Sequence, residues 1–164
     1  MISQTSMVRG ALLLLLALIV VMLPARAEAC TLCSCTTSTS SLAFGAYSPV
    51  TASPTDASAL VSIDCTGIVS LFGVVEVRAS AGGSGSALDR TMARSGSTLR
   101  YNIYANSARS LILGDGSSGT TTLTSSLNGL LFFSTAVPVY GRIPAQQWVQ
   151  SGTYSDTVVI TVIY

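Results

Sequence analysis

The chain has 164 residues, enough for one domain with a targeting segment. Hydrophobic residues make up 49% and charged residues 9%, too few charges for a long solvated helix, a coiled coil or a charge-rich disordered tail. Its eight basic residues are all Arg, His is absent and the net charge is +1, which excludes His-based triads, His metal ligands and the basic runs that neutralise nucleic-acid phosphates.

Arg9 precedes a continuous apolar run from Ala11 to Leu23, then Pro24 and Ala25-Arg26-Ala27. A positive start, an apolar middle and small residues before a cut describe a secretory signal peptide. The run is short for a membrane span, which needs about 20 residues. Residues 1–27 are therefore expected to be removed between Ala27 and Glu28, with a cut after Ala29 as the second option. A lipoprotein reading at Cys30 fits poorly, because Glu28 stands where a small residue belongs. The mature chain, 28–164, would lose Arg9 and Arg26, leaving six Arg against seven acids, or −1.

Export changes how the cysteines read. Cys30, Cys33, Cys35 and Cys65 form an even set that an oxidising compartment turns into disulfides, with three pairings open. If all four are bridged within the chain, Cys65 pairs with one of the other three. Such a bridge closes a loop of about 30 residues and contributes roughly 3–4 kcal/mol in the chain-entropy model. A four-cysteine zinc site and a redox Cys30-Thr31-Leu32-Cys33 are the less favoured readings. Exported clusters are usually oxidised, and no helix start is present to lower a thiol's pKa.

After residue 28 the apolar residues recur at every second position, the period of strands. Ser41 to Tyr47 reads as a strand with Leu42 and Phe44 on one side. Pro49, Pro54 and Asp56 mark a loop. Leu60 to Cys65 puts Val61, Ile63 and Cys65 inward and Ser62 and Asp64 outward. Leu71 to Ala79 puts Val75 and Val77 inward, with Glu76 and Arg78 outward. Residues 81–86 are a flexible turn. Leu99, Tyr101 and Ile103 share the inner face of the next strand. Leu111 to Leu113 runs into the turn Gly114-Asp115-Gly116. Thr120 to Leu127 and Ala136 to Arg142 follow as strands, and Pro138 predicts an edge or a bulge for the latter. After a polar connection holding Gln146 and Gln147, Tyr154 to Tyr164 is the strongest strand pattern. Tyr154, Val158, Ile160, Val162 and Tyr164 line one face, with Val159 and Ile163 on the other. Seven or eight short strands with frequent turn signals give an all-β sandwich. The terminal strand has nothing after it to cover its edge, and an uncovered apolar edge pairs with other chains.

The chemical motifs are weak. Gly114-Asp115-Gly116-Ser117-Ser118-Gly119 fits G-x-G-x-x-G, but Thr120-Thr121-Thr122 disfavours the helix that a dinucleotide site must open; a hairpin loop is expected. Asp115 lacks the further acids of a calcium loop. Asp64, Glu76, Asp89 and Asp156 are the candidate acids for a glycosidase-like pair, but they fall on outward faces or beside turns. Asp156 is expected to tie down the turn that opens the last strand. Trp148 could stack on a sugar, but a partly buried anchor is the favoured reading. No catalytic residue set, cofactor or metal is expected.

The ordered segments resemble the spore coat U domain, the subunit domain of archaic chaperone–usher pili, over nearly the whole mature chain. The resemblance is carried by Cys35, Leu42-Ala43-Phe44-Gly45-Ala46-Tyr47-Ser48-Pro49, Val61-Ser62-Ile63-Asp64-Cys65-Thr66, Asp89-Arg90-Thr91-Met92, Leu99-Arg100-Tyr101-Asn102-Ile103-Tyr104 and Gly114-Asp115-Gly116. It closes on Val139-Tyr140-Gly141-Arg142-Ile143-Pro144, Gln146-Gln147 and Gly152-Thr153-Tyr154-Ser155-Asp156-Thr157. It implies an immunoglobulin-like β-sandwich that lacks its final strand, with Cys35 paired to Cys65; a second bridge between Cys30 and Cys33 is an additional guess. It also implies partners: a periplasmic chaperone, an outer-membrane usher and other pilus subunits that donate the missing strand. A polymerising subunit of the family is itself a donor through an N-terminal extension. Here Cys30 follows the expected cleavage site almost at once, so the chain reads as an acceptor suited to a tip or terminating position, or as a coat component.

The reading is thus an exported structural subunit, passing through the periplasm to the cell surface. The alternatives are an adhesin module, whose 82–86 and 114–119 loops and Trp148 contact a surface or glycan, and a small secreted hydrolase.

Overall fold

The computed structural model describes residues 30–69, 73–127 and 131–164, with side chains for 34–67, 74–126 and 132–164. The expected signal peptide, its Ala27–Glu28 cleavage site and the side chains of Cys30 and Cys33 lie outside these. Eight strands follow in order: β1 Cys30–Thr39, β2 Thr55–Val69, β3 Gly73–Ala79, β4 Arg90–Arg94, β5 Ser97–Tyr104, β6 Leu123–Leu127, β7 Leu131–Ile143 and β8 Ile160–Ile163. A single 3-10 turn at Gly82–Ser84 separates β3 from β4.

The strands form two antiparallel sheets, ordered β1-β2-β7-β5-β4 and β6-β3-β8. This is the all-β sandwich that the strand pattern predicts, of the immunoglobulin-like kind that the resemblance implies. Alternation produces it directly. Branched and aromatic side chains at every second position give each strand one apolar face, and burying two such faces against each other makes the core. Val61, Ile63 and Cys65 of β2, Val75 and Val77 of β3, Leu99, Tyr101 and Ile103 of β5, and Val137 and Val139 of β7 are all buried. Each fully buried side chain of this size contributes about 1.5–3 kcal/mol. β2 and β7 are the longest pair, in register from Thr55 opposite Ile143 to Gly67 opposite Leu131. Cys35 stands directly opposite Cys65 across the β1–β2 pair, and the two form a disulfide with Cα atoms 4.0 Å apart.

Two expectations need correction, and that for Pro138 holds locally. Ser41 to Tyr47 is not a strand; the first strand is β1, and the chain leaves the sheet at Ser40. The inward face is the expected one: Leu42, Phe44 and Tyr47 are half-buried against the core while Ala43 and Gly45 are exposed. Side-chain alternation reports an extended chain, not a hydrogen-bonded neighbour. Pro138 lies in β7, which is interior in strand order, but the edge expected for it is met locally. It is tolerated because β5 pairs with β7 only at residues 140–142, so at Pro138 the side away from β2 carries no strand. The terminal strand is also shorter than Tyr154 to Tyr164. The chain first bridges β4, with Ser155 opposite Ala93, and then crosses to the other sheet to pair with β3 as β8. A segment that changes sheets cannot hold one ladder along its whole length.

Candidate functional site

Against the inner face of the larger sheet lies an open groove of about 940 Å³. Its floor is the apolar inner face of the larger sheet, including Met92, Leu99, Tyr101, Ile103, Val139 and Ile143. One wall is the extended segment 39–47. The other is the terminal segment from Val149 through Val158 to Ile160. β8 is an outer strand: it pairs with β3 on one side. Along the terminal segment Tyr154, Val158, Ile160 and Val162 point to the interior and are half-buried, whereas Val159, Ile163 and Tyr164 are exposed. Tyr164 therefore departs from the row of inward residues expected for it. The remaining row is apolar, faces the core and is incompletely covered.

The wall at 39–47 is fixed by side chains. The Phe44 ring meets the Tyr101 ring edge-on, 5.9 Å between centroids. Leu42 and Phe44 lie over Gly141 of β7 so closely that an added Cβ there would stand 2.7 Å from each. That contact is the physical reason for glycine in Tyr140-Gly141-Arg142.

At one end of the groove Tyr101 donates a hydrogen bond to Asp156 Oδ2 at 2.7 Å. Burial, then the bond to Asp156, push the Tyr101 pKa well above its ordinary value, so the phenol stays protonated and donates. Asp156 Oδ1 accepts from the N–H groups of Gly83 and Thr157, each at 2.8 Å. Asp156 thus ties the turn before β8 to the 3-10 turn and to β5, the anchoring role expected of it. Beside it Arg90 is completely buried. Its guanidinium donates to Ser80 O, Ala87 O, Leu113 O and Asn102 Oδ1, while Asn102 Nδ2 donates to Leu88 O. Burial lowers the Arg90 pKa, opposed by the Tyr101 and Asp156 oxygens. Sequence reasoning missed this network; the segments Asp89-Arg90-Thr91-Met92 and Tyr101-Asn102-Ile103 carried it without showing that they meet.

The structure does not gather the candidate acids. Asp64 is exposed on β2, Glu76 pairs with Arg78 at 2.8 Å, and Asp89 pairs with Arg100 on the surface. Of the four, Asp156 lines the groove. Asp115 closes its own loop: Oδ1 accepts from Ser117 N–H at 2.9 Å and Ser117 Oγ at 2.7 Å, and these bonds lower its pKa. The 114–119 segment is a turn, not a phosphate cradle. Trp148 is corrected outright: it is 77% exposed, because Gln147 and Val149 take the inward positions on either side.

A family model described as the Spore Coat Protein U domain matches residues 22–161. Among solved structures, the chain is similar to one in the crystal structure of the CsuC–CsuE chaperone–tip adhesion subunit pre-assembly complex from archaic chaperone–usher Csu pili of Acinetobacter baumannii. The identity is 20% and the TM-score 0.55, over 81% of this chain and 40% of that chain. At that identity the likeness is one of fold. No curated protein gives a significant match.

Proposed function

The chain belongs to the spore coat protein U domain family, and we propose that it is a non-enzymatic structural subunit of an archaic chaperone–usher fibre or coat that accepts a β-strand from a second molecule. The observation that carries this reading is the edge of β8, unpartnered among the described residues on the side away from β3, where Tyr154, Val158 and Ile160 of the terminal segment line an apolar groove half-covered. An extended segment laid there would pair its main chain with β8 and lower alternate apolar side chains onto Leu99, Tyr101 and Val139. Backbone pairing supplies affinity, and the alternate pockets supply register.

The partners are those that the family implies. A periplasmic chaperone holds the groove during export, an outer-membrane usher exchanges it, and a neighbouring subunit fills it in the fibre. Removal of residues 1–27 delivers the chain to the periplasm, from which it passes to the cell surface. The similar fold in a chaperone–subunit complex supports this assignment of partners.

Periplasmic expression with and without a chaperone of the archaic chaperone–usher class tests the proposal. Alone, the subunit is expected to aggregate or be degraded; with the chaperone, a soluble complex of one copy each is expected. Abundant soluble monomer in the absence of any partner overturns it.

A further inference from the structure

The groove wall from Ser40 to Tyr47 is fastened at its two ends and bare between them. At the first end Ser40 N–H donates to Leu60 O at 3.0 Å, and Leu60 N–H donates to Ser40 Oγ at 2.8 Å. At the second, the Tyr47 phenol accepts from Gln147 N–H at 2.6 Å and donates to Pro144 O at 3.2 Å. Gln147 is itself clipped to β5. Its Oε1 accepts from Arg100 N–H at 2.8 Å, and its Nε2 donates to Arg100 O at 2.9 Å. A side-chain amide thereby takes the place of a strand residue, just past the point where β7 leaves β5 at the Arg142–Asn102 pair. Between the two fastenings, among the described residues, the main chain of 41–46 makes no hydrogen bond. Leu42 and Phe44 hold it against Gly141 and Tyr101 by side chain alone, and Gly45 bends it at φ +71°.

We propose that Tyr47 and Gln147 form a clasp that sets this wall at pairing distance, so that an incoming strand bonds to β8 along one edge and to the main chain of residues 41–46 along the other. The proposal rests on the strand-accepting reading above and assigns positioning residues within it. With the clasp closed, the short span between Ser40 and Tyr47 is the part left to order when the strand arrives. With the clasp open, the wall must also be brought back from solvent, and that extra ordering opposes binding. Gly45 permits the bend of the empty state and can extend when the ladder forms.

The test uses the full exported chain refolded with a synthetic strand of about ten residues, alternating Val with Thr or Lys. Tyr47→Phe keeps the ring and removes the hydroxyl; Gln147→Ala removes the clip to Arg100. Both are expected to release the strand about five- to tenfold faster than the wild type, the effect of one or two lost hydrogen bonds. Hydrogen exchange separates positioning from general damage. In dilute, freshly refolded wild type, measured before it aggregates, amides 41–46 exchange fast when the groove is empty and become protected with the strand bound. In both variants that gain is reduced, while the amides of β8 gain protection as before. Equal release rates and equal protection of 41–46 in all three proteins overturn the clasp, as does protection of 41–46 in the empty wild type. Loss of protection throughout the core in both variants also overturns it, because the residues then act on folding and not on the wall. A wild type that takes up no strand and gains no protection at β8 instead refutes the strand-accepting function, and the clasp falls with it.

Discussion

Arg90 shows how much of this fold rests on a single polar side chain. A buried guanidinium is tolerable only when its donors are satisfied, and here three backbone carbonyls and Asn102 Oδ1 satisfy them. Those acceptors come from the end of β3, the segment before β4, the loop after β5 and β5 itself, so one side chain gathers four parts of the chain. Among the described residues, no buried side-chain polar atom lacks a partner. Arg90→Met keeps the apolar stem but strands the carbonyls, and it is expected to cost about 3–5 kcal/mol. Asn102→Ala, which leaves the guanidinium short of one acceptor and frees Leu88 O, is expected to cost about 1–3 kcal/mol. The double variant is expected to lose less than the sum, because the two residues share one network. Urea denaturation of the strand-complemented subunit measures all three, and simple additivity would contradict the shared network.

At the level of elements, β2, β3 and β5 are legible in the sequence because branched and aromatic residues alternate with polar ones over their inner halves. The same alternation at Leu42 and Phe44 misleads. It marks an extended chain with one apolar face and says nothing about whether the backbone has a neighbour. β1 escapes the reading for the opposite reason, since its Ser, Thr and Cys residues carry little apolar period although the chain is laddered. The groove could be anticipated from the bare terminal strand, but its wall could not: the Tyr47–Gln147 contact spans 100 positions, and short polar motifs do not announce such distant partners. A similar long-range tie sits on the outer face, where β2 meets β7. Asp56 stands opposite Arg142 in register, accepts from it at 2.7 and 2.8 Å, and lies 3.3 Å from Arg109. The Arg142 hydrogen bonds, and then the Arg109 charge, hold the Asp56 pKa below its ordinary 3.8. A lowered carboxylate pKa means that the folded state binds the proton less readily than the unfolded one. The contribution is therefore present above pH 3.8 and is lost as pH falls through the folded value. Asp56→Asn is expected to flatten the acid side of the stability curve. Denaturation midpoints taken between neutral pH and the acid limit check this, and an unchanged acid slope would show the pair to be without effect on folding.

For the molecule as a whole the decisive quantity is how much stability a donated strand would supply under the proposed function. An inserted strand would bury about four or five apolar side chains, each worth about 1.5–3 kcal/mol, or roughly 6–15 kcal/mol in all. That matches the entire stability of an ordinary domain, about 5–15 kcal/mol. The Cys35–Cys65 bridge acts without a second molecule, by restricting the unfolded chain and fixing β1 against β2. It does not cover β8, which lies in the other sheet and, among the described residues, pairs on one side only. The empty subunit is therefore expected to hold its disulfide-tied larger sheet together while the β6-β3-β8 sheet loosens from its β8 side. Joining an alternating Val–Thr strand to Tyr164 through a flexible turn long enough to let it run back beside β8 should close the groove within one chain. Such a variant is expected to melt roughly 20 °C or more above the parent, given about 2–4 °C per kcal/mol for a chain of this size. A scrambled strand with its apolar residues clustered, which cannot match the alternate pockets, should give little of that gain. Equal melting of the parent and the alternating variant would mean that the groove is already closed by the chain's own residues, and the groove would then be a surface feature of a self-sufficient sandwich.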